Sequence, residues 1–279
     1  MTVEFHIVAH EGVDEGLVTQ IRSWANEVLE RTGPLSLSPY LCITVWKTVT
    51  ELQDFYRSEK EALGVIAGDE TDFLATHEAW RGYPRIHICE ERVRGIPGTV
   101  VQGVLHHEIS HALLHGTPEF YTFRFSAGLQ QAGRSHGLDL PVLQQCVYLL
   151  SVAIKDGEVI QWLGEIGLGF SQRALVEHLI SDTQEERQIW EQVRNSPVLI
   201  KISRGAFLKT LLPIEVMVSN GIEGAQAVKN QWREAYGWLS ERERECLSRL
   251  SQCFMNQEKG SFQQRLEEAT LLLIAEPSI

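Results

Sequence analysis

Residues 107–111 read His-Glu-Ile-Ser-His, within a proline-free stretch from Thr99 to His115. On a helix, two imidazoles four residues apart stand one above the other on one face, so His107 and His111 can share one metal ion. Glu108 projects about a quarter-turn away, where a carboxylate can act on water beside that metal. The flanking residues support a helix. Thr99 to Gln102 has the form of a capping box, Gly95, Pro97 and Gly98 end whatever precedes, and Gly116-Thr117-Pro118 stops the helix. Val100, Val101, Val104, Leu105, Ile109, Ala112, Leu113 and Leu114 fall on every side, which predicts burial all round. Polar groups in such a helix must be satisfied. A zinc ion does this for the histidine pair; the alternative is a core helix whose histidines meet backbone carbonyls or carboxylates.

Over residues 104–113, Val-Leu-His-His-Glu-Ile-Ser-His-Ala-Leu, the chain resembles the zincin superfamily of zinc metallopeptidases. The resemblance extends over about fifteen residues. It implies a hydrolase acting on peptide bonds, with Zn2+ on His107 and His111 and Glu108 as general base toward the metal-activated water. A catalytic zinc takes three protein ligands and leaves one position open. The metzincin branch would require His at position 117, where this chain has Thr117. The gluzincin-like branch draws its third ligand from an acid on a later helix. His115 lies about 12 Å along the axis from His107, too far to share its ion.

The informative acids are Asp156 and Glu158, set with Gly157 between them in an otherwise apolar segment. Asp156 has the apolar Val159 three positions on, a common zincin feature, whereas Glu158 is longer and of the usual gluzincin type. One is expected to coordinate and the other to orient a histidine. Pairing of either acid with Lys155 on a solvated face is the plain alternative. Glu165, Glu177, His136 and His178 are weaker ligand candidates. Tyr121, His136 or Tyr148 could supply a donor to the oxyanion.

Composition bounds the rest. The 279 residues are 43% hydrophobic and 22% charged, the balance of a soluble globular protein. A net charge of −12 without massed basic residues argues against a nucleic-acid or anionic-membrane partner, leaving a peptide or protein substrate. Five cysteines without a C-x-x-C pair read as reduced thiols. With no secretory signal in the first residues and no apolar run of ~20, a cytoplasmic location is expected. A reading from a different class is a catalytically silent zincin fold serving as a binding or regulatory module. One zinc with no turnover would mark it.

Hydrophobic periodicity predicts strands over 3–8, 41–46, 73–80 and 85–89, and helices over 15–31 and 51–63 before the histidine helix. Gly33-Pro34 is expected to end the first helix. The fold class is therefore α+β: a small mixed sheet with packed helices, zincin-like, followed by a mainly helical C-terminal half. By the resemblance, Ile86-His87-Ile88 would form the sheet edge above the site; otherwise it is an ordinary strand. Further helices are predicted over 141–165, 171–194 and 197–219, the last interrupted by Pro213. Capping boxes at Ser240–Glu243 and Ser261–Gln264 open two more. Asn195-Ser196-Pro197 is the best joint, giving a 1–195 zincin-like domain and a 196–279 helical extension packed on it.

Overall fold

The computed structural model describes residues 4–32, 40–63, 73–79, 81–257 and 260–277. The chain is α+β and falls into two compact units, Met1–Pro118 and Glu119–Ile279. The joint expected at 195–197 is a turn inside the second unit. Gly33-Pro34 lies outside the described residues.

The first unit runs β1 (Glu4–Ala9), α1 (Glu15–Thr32), β2 (Tyr40–Trp46), α2 (Val49–Leu63), β3 (Ala75–Glu78), β4 (Arg85–Cys89), a short α3 (Glu90–Val93) and α4 (Gly98–His115). The sheet order is β1-β2-β4-β3. β1/β2 and β2/β4 are parallel, joined by chain that includes α1 and α2, and β3 closes the sheet antiparallel to β4. α2 starts earlier than its apolar spacing predicts. Thr48 and Glu51 cap it reciprocally: the Thr48 hydroxyl accepts from Glu51 N and the Glu51 carboxylate accepts from Thr48 N, both at 3.3 Å.

β4 is buried along its whole length, as a strand covered on both faces must be. The register puts Ile43, Val45, Ile86, Ile88, Ala75 and His77 on one face and Thr44, Trp46, His87, Thr76 and Glu78 on the other. α4 packs against the first face beside α1. The aromatic residues of α2 meet the second, with Phe55 and Tyr56 centred 5.0 and 5.4 Å from the His87 ring. Ile86-His87-Ile88 is therefore an interior strand, and the edges are β1 and β3. The expectation of an edge failed because β4 is covered on its other side by β2, from a segment distant along the chain, and periodicity does not order such strands.

A polar cluster fixes β3 and β4 to α2. Arg85 pairs with Glu78 of β3 and donates at 2.8 Å to Glu59 of α2, which also accepts from Arg81 at 2.6 and 3.0 Å. The Arg81 hydrogen bond, against a burial penalty and helped by that from Arg85, holds the Glu59 carboxyl down at about 2. An acid held below its unfolded value adds stability above pH 4.5 and loses it as pH falls toward 2. Urea midpoints should therefore drop between pH 5 and pH 2.5, and Glu59→Gln should flatten that slope. An unchanged slope in the variant would remove Glu59 as its source.

The second unit is helical: α5 (Ala127–Ser135), α6 (Leu140–Glu165), α7 (Gly169–Leu179), α8 (Gln184–Val193), α9 (Leu199–Ser219), α10 (Ala225–Ala235), α11 (Glu241–Met255) and α12 (Phe262–Ala275). Asp139 caps α6 through Val142 N, with Pro141 in the first turn as predicted. α6 and α9 form the most extensive helix pair. Gly157 of α6 faces the Leu212 and Val216 side chains rather than another backbone.

Three helix predictions need correction. The stretch 171–194 is two helices, because Ser181 and Asp182 turn the chain by bonding His178 O and Gln184 N. α9 continues through Pro213, where burial of Leu212, Pro213 and Ile214 outweighs one lost backbone bond. Ser261 and Gln264 make the full capping box, but at α11 only Ser240 caps; Glu243 turns inward to Arg204. No single helix is long and apolar enough to cross a membrane, among the described residues.

Candidate metal and catalytic site

α4 carries the histidine pair, and its burial follows from its composition. Val100, Val101, Leu105, Ile109, Ala112 and Leu113 are all buried. The helix begins one residue before the expected Thr99 cap. Pro97 is the N-cap and makes no side-chain cap bond, while Gln102 donates instead to Glu27 of α1 at 3.0 Å. Gly116 ends the helix as expected. A Cβ there would lie 2.2 Å from the Ala112 carbonyl oxygen, so no larger residue fits without movement.

The spacing has the predicted result: His107 Nε2 and His111 Nε2 face each other at 2.9 Å, with ring planes at 77°. Two nitrogens on one tetrahedral zinc at ~2.0–2.1 Å stand about 3.3 Å apart, so an opening of a few tenths of an ångström accommodates the ion. These donors fit zinc, whose borderline character suits imidazole. His115, one turn further along, places its Nδ1 3.1 Å from His111 Nδ1. With Nε2 of His111 given to a metal, its proton sits on Nδ1 and is donated to His115. That second bond fixes the ring and its tautomer. His106 is different in kind: burial, with a further push from Arg31, lowers it to about 4, so it is a neutral core histidine.

Glu108 is half-buried, and its Oε2 lies 2.9 Å from Nδ1 of His77 on the edge strand β3. The His77 ring also stacks on His111, with centroids 4.5 Å apart and planes 7° apart. His77 escaped the sequence reading. The only available signal was strand alternation, which places it on the face of Ala75 toward the core helix. On the opposite face, burial and then the Glu78 charge push the Tyr56 phenol far above its ordinary value, so it stays a neutral hydroxyl.

In the second unit, Asp156 and Glu158 are both half-buried on α6. Two residues apart, they project about 200° from each other and cannot serve one point together. Glu158 pairs with Arg265 of α12. Lys155 does not lie on a solvated face: it is buried, with Nζ 4.5 Å from the centre of the Tyr121 ring. The weaker candidates have other settings. Glu165 is exposed and accepts from Gln161 at 3.0 Å, and Glu177 lies 3.6 Å from Arg173. His136 is the exposed C-cap of α5, and the carbonyl of His178 takes the Ser181 hydroxyl. Tyr148 is exposed on α6.

No family model, curated protein or solved structure matches the chain.

Proposed function

We propose that this chain is a zinc-dependent peptidase of zincin type, in which His107 and His111 hold the metal, Glu108 is the general base and one acid, Asp156 or Glu158, supplies the third ligand. The observation that carries this reading is the convergence of the His107 and His111 Nε2 atoms at 2.9 Å on the helix that carries Glu108, with His111 held by His115 and Glu108 by His77. A purely structural metal site has no use for that carboxylate. Zinc held there would supply Lewis acidity, lowering the pKa of water toward ~7 and polarising a carbonyl.

Glu108 contributes the proton transfers. It takes a proton from the attacking water and passes it to the leaving amine as the peptide bond breaks. The β3 edge beside α4 offers backbone groups to which an extended peptide could add as a strand. The acidic net charge favours a peptide or protein substrate over nucleic acid or an anionic membrane. The five free thiols suit a reducing, cytoplasmic setting.

Asp156 is preferred to Glu158 as third ligand because Glu158 is committed to Arg265. Asp156→Asn should weaken zinc binding in a chelator competition by more than about 10²-fold, beyond the loss typical of an outer-shell partner. Glu158→Gln should leave it nearly unchanged. The reverse pattern would exchange the two roles. Failure of both to matter, with no cleavage of a broad peptide panel, would end the peptidase reading.

A further inference from the structure

We propose that His77 is the positioning residue of the general base, donating from Nδ1 to one oxygen of Glu108 so that the other is left to move protons. The inference rests on the peptidase reading of this site.

An ionised carboxylate only accepts hydrogen bonds, so in the 2.9 Å contact between His77 Nδ1 and Glu108 Oε2 the imidazole is the donor. This puts a proton on Nδ1. It also makes the two carboxylate oxygens unequal: Oε2 is tied to β3, and Oε1 is the one available to water. Holding a base to one rotamer matters because misplacement of about 1 Å can cost ~10²-fold in rate.

The donor is itself held. Its ring lies flat on His111, with centroids 4.5 Å apart and planes 7° apart, so one ring orientation serves both the base and the ligand histidine. β3 cannot slide, because Glu78, the next residue, points to the opposite face into buried contacts. There it pairs with Arg85 and meets His87 Nε2 at 3.4 Å, while Trp46 Nε1 donates to His87 Nδ1 at 3.1 Å and sets that ring. A chain of named contacts thus runs from α2 and β4 through the edge strand to Glu108. His77 needs no contact with substrate to act, which is why it is a positioning residue and not a catalytic one.

The test uses the zinc-loaded full chain. In His77→Phe the stack is kept and the donor lost; in His77→Asn an amide N–H replaces Nδ1–H. The Phe variant should keep its zinc affinity within about threefold and its KM, and lose about 10²-fold in kcat. The Asn variant should recover part of that loss. A second readout needs no turnover: two-bond 1H–15N spectra should show His77 as the Nδ1–H tautomer, with that proton's signal displaced in Glu108→Ala. An Nε2–H tautomer, or a Phe variant with the kcat of the wild type, overturns the proposal. A bridging Nδ1 proton in a zinc protein that cleaves no peptide supports the positioning geometry and overturns the peptidase reading alone.

Discussion

Glu108→Gln should lower turnover by about 10³-fold, inside the ~10²–10⁴ range for a positioned acid–base group, and leave zinc bound. The substitution is nearly isosteric. The glutamine carbonyl can still accept from His77 Nδ1, so the contact at 2.9 Å and the stack on His111 persist. What disappears is the capacity to take up and return a proton. kcat should therefore fall with little change in KM, since the proton moves only on the way to the transition state. Steady-state kinetics on a cleaved peptide, with metal content measured on the same sample, make the check. A variant as active as the wild type would show that another group is the base.

Glu243→Ala should destabilise the fold by about 3–5 kcal/mol, the usual cost of stripping one partner from a buried ion pair. Arg204 of α9 and Glu243 of α11 are both fully buried. They meet through two bonds, Nε to Oε1 at 2.6 Å and an Nη to Oε2 at 3.0 Å, and Arg204 also donates to the Pro277 carbonyl at 3.0 Å. Removing the carboxylate strips a buried guanidinium of the charge that pairs with it directly. For a unit of this size the melting temperature should fall by roughly 10 °C. Arg204→Met combined with Glu243→Leu should recover most of that loss, because apolar replacement removes the desolvation penalty with the charge. Denaturant titration of the single and double variants measures both values. A single-variant loss below about 1 kcal/mol would mean that water reaches the pair.

Much of this was legible in the chain because it depends on local spacing. Strand 85–89 and the helix ending at His115 follow from apolar runs bounded by glycine and proline, and the face-to-face histidines follow from a four-residue interval on one helix. Features set by residues distant in sequence were not legible. Glu243 sits where a capping box would place it, yet a buried arginine 39 residues away takes its side chain. Gln102 likewise bonds α1 instead of its own helix start. The edge position of β3 and the placing of His77 against Glu108 require the order of strands in the sheet, which no single segment encodes. The pairing of Glu158 with Arg265 from the last helix was hidden for the same reason.

The proposed peptidase chemistry depends on His107 and His111 gripping a zinc ion. Elemental analysis of the full chain, dialysed with zinc and then freed of loose metal, tests it most directly. One zinc per chain is expected in the wild type and little in His107→Ala or His111→Ala. A wild-type chain that retains no zinc would contradict it.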